Sequence, residues 1–370
     1  MNEKKALVIT SIASSSNEAL RSYAEECLSR KIHFIVMGDV ASPAEFVLEG
    51  CDFYSIQRQQ ELDFSLSKIL PVKKYSRKNL GYLVAISNGS EIISETDDDN
   101  FPRNDFWKPT EVNLNCYHIE NKGWLNVYAY FTEKKIWPRA FPLEQVNNEI
   151  PPMSDFTFSA VACPVQQGLA DENPDVDAVF RLVKLLPITF KSAPSLALGI
   201  NTWCPFNSQN TRWFKEAFPL LYLPTYCSFR MTDIWRSFIA QRIFWENNWS
   251  LLFHKATVYQ KRNDHNILRD FYEEIDGYLN NHKIIEALEK LQLKKGTEYL
   301  NDNLKTCYEA IVKMGLVDVK EMALIDAWCN DIEKLQKIQL AENSLKKNGE
   351  LLSEERAQAF LGLKKSSLKE

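Results

Sequence analysis

The chain has 370 residues, of which 45% are apolar, 12% aromatic and 25% charged, and its formal net charge is -5. This composition excludes a disordered chain, and the acidic balance gives no support for a nucleic-acid partner, whose phosphates call for a dense Lys/Arg excess. The length suits one large domain with an appendage.

Residues 4–10, KKALVIT, read as a buried strand, with a Ser/Asn-rich turn and a helix from about Asn17 to Arg30 behind it. The start lacks the long apolar region and small-residue cleavage site of a signal peptide, and no run reaches the ~18 apolar residues of a membrane span. The eight cysteines contain no C-x-x-C pair, which argues against a zinc ribbon. A cytoplasmic protein with reduced cysteines is therefore the expectation.

The segment KIHFIVMGDV reads as a second strand ending at Gly38-Asp39. Strand, helix, strand with so short a connection implies a right-handed βαβ unit and a sheet with parallel strands. Ligands in such sheets bind at the carboxyl ends of the strands, which makes Thr10, Ser11 and Asp39 candidate nucleotide-binding residues. Neither G-x-G-x-x-G nor G-x-x-x-x-G-K-[ST] is present, so a nucleotide would be held by other means.

A helix over RKNLGYLVAISN, residues 77–88, leads through Gly89 into a strand that ends in Asp97-Asp98-Asp99. Adjacent carboxylates repel unless a cation or ordered hydrogen bonds compensate. In an extended segment residues 97 and 99 share one side while 98 points away, so Asp97 and Asp99 are candidates for holding one divalent cation together with a diphosphate. A solvated acidic turn is the plainer alternative. An EF-hand fits poorly, since its required Gly and Glu would fall on Pro102 and Lys108. Arg77 and Lys78 are candidates to meet phosphate oxygens, and Asp98 joins the donor set.

Residues 123–137 alternate well enough for a strand or hairpin arm, 180–190 suggest another strand, and 201–227 read as an ordered loop wall rich in aromatics, Pro and Asn. Between them lies a second acidic cluster in which Asp171, Asp175, Asp177 and Arg181 are candidate sugar- or acceptor-binding residues, with an exposed Asn-Pro-Asp turn as the alternative. A helix over 231–248 is expected to take Thr232 as N-cap, placing Asp233 in its first turn beside Arg236. His254 is a candidate third metal ligand, and His265 a weaker one. Beyond about residue 266 Gly and Pro nearly vanish, so the remainder reads as helical with a charged end. The expected division is 1–265, a helical extension 266–345 and a tail 346–370.

Taken together, RKNLGYLVAISNG, SETDDDNFP, DENPDVDAVFRL, WCPFNSQNT and LYLPTYCSFRMTDIWRSFIAQR resemble the STELLO-type glycosyltransferase family over roughly residues 70–250, in the family's order. The resemblance implies a GT-A-like fold, an α/β architecture with a Rossmann-type mixed sheet flanked by helices and, here, a C-terminal all-helical extension. It implies a nucleoside-diphosphate-sugar donor, expected to be a UDP-sugar, and Mn²⁺ or Mg²⁺ held by Asp97 and Asp99. By placement it makes Asp233 the candidate catalytic carboxylate and Arg236 its acceptor-side neighbour. Plant members carry a membrane anchor and a long additional region, so their Golgi location is not implied, and the last hundred residues match no segment we can name. The expected activity is transfer of a sugar to a glycan or lipid-linked acceptor in surface polysaccharide synthesis. A sugar-nucleotide mutase or pyrophosphorylase and a non-catalytic scaffold are the alternatives. For the helical tail there are two hypotheses, dimerisation and docking on the inner membrane face through its lysines.

Overall fold

The computed structural model describes residues 4–263 and 266–347, the side chains of 342–347 excepted. His265 and the expected tail beyond 347 lie outside the described residues. The molecule is mixed α/β, with a large mixed sheet flanked by helices.

The strand β1 (Lys5–Thr10) is followed by α1 (Glu18–Arg30) and β2 (His33–Met37), and the Asn17 side chain caps α1 by accepting from the Leu20 N–H at 2.9 Å. Then come β3 (Asp52–Tyr54), the short helices α2 (Ile56–Gln60) and α3 (Ser65–Ile69), α4 (Lys78–Ser87) and β4 (Ile92–Thr96). These four strands pair in parallel in the order β3-β2-β1-β4. In β1, Ala6 and Val8 pack with α4 while Leu7 and Ile9 pack with α1. Burial on both faces is why KKALVIT is apolar without alternation.

The rest of the sheet comes from β5 (Asn100–Pro102), β6 (Asn113–Ile119), β8 (Thr157–Ala162), β9 (Val165–Asp171), β10 (Leu196–Leu198), β12 (Asn210–Phe214) and β13 (Leu251–Gln260). The separate pair is β7 (Gly123–Trp124) with β11 (Thr202–Trp203). The order continues β4-β12-β9-β13-β10-β6-β8, with β5 on β13. Because β12 is antiparallel to both β4 and β9, and β13 is parallel to β9, the carboxyl ends of β1, β2, β4, β9 and β13 share one edge. That edge carries the candidate site.

Three sequence expectations change here. The alternation over 123–137 is not a strand: after β7 the chain turns through a 3-10 segment, Val127–Phe131, and Asn126 donates to the Ile136 carbonyl at 2.7 Å, so its apolar residues reach the core from turns. The second supposed strand, 180–190, begins as helix α5 (Ala178–Val183), because the Asp177 carboxylate accepts from the Phe180 N–H at 2.7 Å and nucleates it. The loop wall 201–227 contains the interior strand β12, whose polar Asn210 is buried because it donates to Leu169 O and Thr257 Oγ1 at 2.9 and 2.8 Å.

Helix α6 (Thr232–Trp245) runs through the core and is buried on every side through Phe244. Thr232 is its first helical residue and not its N-cap, since a 3-10 turn, Phe229–Met231, feeds directly into it. Then α7 (Ile267–Glu289), α8 (Leu300–Lys313) and α9 (Glu321–Lys347) complete the chain, and their apolar residues belong to the same core cluster as α4 and α6. No helix among the described residues is long and apolar enough to cross a membrane.

Candidate functional site

At the carboxyl edge lies a cavity of about 520 Å³. Of the residues singled out from the sequence, it gathers Thr10, Ser11, Asp39, Arg77, Asp97, Asp98, Asp99 and Asp233. The spacing in the chain is wide, yet each sits where a strand or helix ends.

The acidic stretch is a turn and not extended chain: β4 stops at Thr96, and the Asn100 N–H donates to Asp97 O at 3.3 Å. Consequently all three carboxylates line the cavity, and the expected outward direction of Asp98 is not found. Ser11 Oγ donates to Asp98 Oδ2 at 2.5 Å, and Gln260 Nε2 donates to both Asp99 oxygens at 3.0 Å. Asp97 Oδ1 accepts from the Tyr75 hydroxyl at 2.8 Å, with the buried Lys78 ammonium 3.5 Å away. Burial pushes the Asp97 carboxyl up to about 7, Lys78 opposing the rise and Asp99 adding to it. Burial raises Asp98 as well. Lys78 does not line the cavity; its ammonium donates to Thr96 O and Tyr75 Oη, both at 2.8 Å, and so fixes the turn from below.

Asp233 comes from the first turn of α6. Its Oδ2 accepts from Ser208 N and Oγ at 3.1 and 3.2 Å, and Arg139 Nη2 donates to both of its oxygens at 3.0 Å. The Tyr75 hydroxyl lies 2.6 Å from Ser208 Oγ, so a chain of touching side chains connects Asp97 to Asp233. The same Arg139 grips Asp175 with Nε and Nη2 at 2.8 and 2.9 Å. Arg139, Ser208, Tyr75 and Gln260 carried no signal as single residues, although Ser208 falls in one of the resembling stretches.

Other candidates are employed elsewhere. Asp175 is the inner partner of Arg139, while Asp177 caps α5 and accepts from Trp137 Nε1 at 2.7 Å. Asp171 accepts from the Phe190 N–H and from Arg103, both at 2.8 Å. Arg181 donates to Pro174 O at 3.0 Å. Arg236 is locked in the core on Glu95 at 2.7 Å, where Tyr82 and Trp213 also donate to that carboxylate. His254 lies on β13 outside the cavity lining, its Nδ1 2.9 Å from Lys255 O, and burial lowers its ring to about 4. It is not brought to the acidic turn.

Lys73, Lys74, Arg77, Arg230 and Arg262 line the same cavity, Arg230 paired with Glu274 at 2.8 Å and Arg262 with Asp270 at 2.7 Å. Asp39 accepts from the Lys73 and Lys74 N–H groups at 2.9 and 3.2 Å and holds that loop at the rim. Arg77 is tied to Gln59 and Leu70 O, but its Nη2 has no partner among the described residues. Such a mixture of basic side chains with an acidic turn suits an anion that brings its own cation. Among the described residues no cluster of three or more His, Cys, Asp or Glu forms a complete ligand set. One or two carboxylates completed by substrate phosphates and water is how Mg²⁺ is usually held, so the turn fits such an ion jointly with a diphosphate.

Residues 230–352 match the family model described as STELLO glycosyltransferases. The chain is 27% identical over 346 residues to probable glycosyltransferase STELLO1 of Arabidopsis thaliana, covering 88% of this chain and 44% of that protein. It is 30% identical over 275 residues to probable glycosyltransferase STELLO2 of the same plant, covering 69% of this chain and 35% of that protein. The chain thus spans less than half the length of these curated relatives. The matched residues 230–352 take in α7 to α9, which corrects the expectation that the last hundred residues resemble nothing nameable.

Proposed function

Since the chain is a member of the STELLO glycosyltransferase family and a distant homologue of the two Arabidopsis proteins, we propose that its edge cavity binds a nucleoside-diphosphate sugar, a UDP-sugar foremost. The sugar would pass to a hydroxyl of a glycan or lipid-linked acceptor, as surface polysaccharide synthesis requires. The observation that carries this reading is the convergence of the acidic turn and Asp233 on one cavity at the carboxyl edge of the sheet.

Asp97 and Asp99 would hold Mn²⁺ or Mg²⁺, which when bound supplies Lewis-acid neutralisation of the diphosphate. The Lys73-Lys74 loop, with Arg77 in the same lining, orients the diphosphate. Thr10, Ser11 and Asp39 at the ends of β1 and β2 frame the nucleoside. In an inverting transfer the Asp233 carboxylate takes the acceptor proton; in a retaining transfer it faces the positively charged sugar, and the proton leaves on the diphosphate. Either way Arg139 and Ser208 fix its direction before substrate arrives.

Calorimetric titration of UDP, GDP and CDP with and without Mn²⁺, on wild type and on Asp97→Asn/Asp99→Asn, tests this. Metal-dependent binding of one nucleotide, lost in the double variant, is expected. Failure of every nucleotide under every condition would remove the proposal.

A further inference from the structure

Beside the donor cavity lies a second one of about 500 Å³, walled by Thr225, Thr232, Asn266, Arg269 and Glu273. The two share Lys73, Lys74, Tyr75 and Phe229. At their seam the first two residues of α6 divide: Thr232 lines the second cavity and Asp233 the first.

Phe229 stands on that seam with 57% of its surface exposed, its ring edge-on to Tyr75 at 6.0 Å. An aromatic ring left this open, between two cavities whose linings are themselves largely apolar, gains free energy when a flat, partly apolar ligand covers it. A pyranose ring presents such a face together with hydroxyls. Of its charged lining residues, Arg269 pairs with Glu273 at 3.0 Å and Asp270 with Arg262 at 2.7 Å, while Lys73 and Lys74 are shared with the first cavity and are assigned there to the diphosphate, so what remains offers donors and acceptors for hydroxyls without an unpaired charge. The chemistry therefore favours an uncharged sugar chain over a lipid phosphate.

We propose that this second cavity is the acceptor site and takes a neutral, hydroxyl-rich oligosaccharide seated on Phe229, its reacting hydroxyl crossing the Phe229–Tyr75 seam towards Asp233. The assignment rests on the first cavity being the donor site. In the transfer the bond from the anomeric carbon to the phosphate oxygen breaks, its electron pair leaving on the nucleoside diphosphate. A bond from the anomeric carbon to the acceptor oxygen forms, and the acceptor proton goes to Asp233 or to the departing diphosphate. None of the acidic-cluster residues 171–181 is needed for it.

Saturation-transfer NMR with maltotetraose, cellotetraose, mannotetraose and xylotetraose tests the site on wild type, Phe229→Ala, Phe229→Trp and Glu273→Ala. At least one tetrasaccharide should bind wild type at millimolar concentration. Phe229→Ala and Glu273→Ala should each weaken it about tenfold, and Phe229→Trp should retain it. Both side chains reach solvent, so neither change threatens folding, and circular dichroism would verify this. No binding by any of the four sugars, or binding unchanged in both alanine variants, overturns the assignment. Titration of UDP in parallel is a separate readout, whose failure falls on the donor reading.

Discussion

Arg139 shows how much one buried side chain can organise. It holds two carboxylates from different elements, Asp175 and Asp233, and is only 5% exposed itself. The planar guanidinium can reach both because its donors are arranged as a fork, a geometry that an ammonium lacks. Removing one member of a buried charge network leaves its partners unpaired, which typically costs 3–5 kcal/mol. We therefore expect Arg139→Met to lower unfolding stability by about 3–5 kcal/mol in urea titrations, Arg139→Lys to recover only part, and Arg139→Met/Asp175→Asn to be less damaged than Arg139→Met alone. A double variant as unstable as Arg139→Met would show that Asp175 is not what Arg139 compensates.

At the scale of the element, strand β13 does two unlike things along its length. Its carboxyl end supplies Gln260 to the acidic turn, whereas His254, further back, is packed at the level of Gly168 on β9. Burial lowers the His254 ring from its ordinary 6.5 to about 4, so the folded chain binds that proton more weakly than the unfolded one. Stability from this group is present above pH 6.5 and is lost as pH falls from 6.5 towards 4. Thermal melts of wild type and His254→Gln across that window should diverge, with the wild type losing more. Parallel curves would mean that the ring is not held neutral. The turn after β4 teaches a related lesson: the alternation argument for Asp97 and Asp99 assumes an extended backbone, and one hydrogen bond from Asn100 to Asp97 replaces it with a turn.

Across the whole molecule the C-terminal helices are joined to the site by buried carboxylates. Glu321, at the start of α9, accepts from the Thr225 and Tyr226 N–H groups and from the Tyr222 hydroxyl, and so anchors the strip that walls the second cavity. From the same helix Asp331 accepts from the first N–H groups of α3, Ser65 and Leu66, at 2.8 and 2.9 Å. Glu321→Ala strands those donors and should cost about 2–4 kcal/mol in urea unfolding, while Glu321→Gln, which keeps an acceptor, should cost less. Equal losses would place the cost in packing rather than in hydrogen bonds. The helices are thus tied to the rest of the molecule at the second cavity's wall, at α3 and through the shared core.

The strand ends that carry Thr10, Ser11, Asp39 and the three aspartates were legible in the amino-acid sequence because their position follows from local pattern and from a topological rule: apolar runs end, and in a parallel βαβ sheet their carboxyl ends meet. The family was legible for a similar reason, since it rests on contiguous stretches. What the tertiary structure alone decided is which charged residues are free to act. Asp175, Asp177 and Arg236 look as available in the sequence as Asp233, yet Asp177 is taken by the α5 cap and Trp137 and Arg236 by Glu95, and of the two carboxylates that Arg139 holds only Asp233 lines the cavity. Arg139 and Ser208, silent by themselves, become decisive by contact with a residue 94 or 25 positions away. A carboxylate faces ligand or neighbour according to which donors the fold brings within about 3 Å of it, and such distances are set by packing between remote segments rather than by the order of residues.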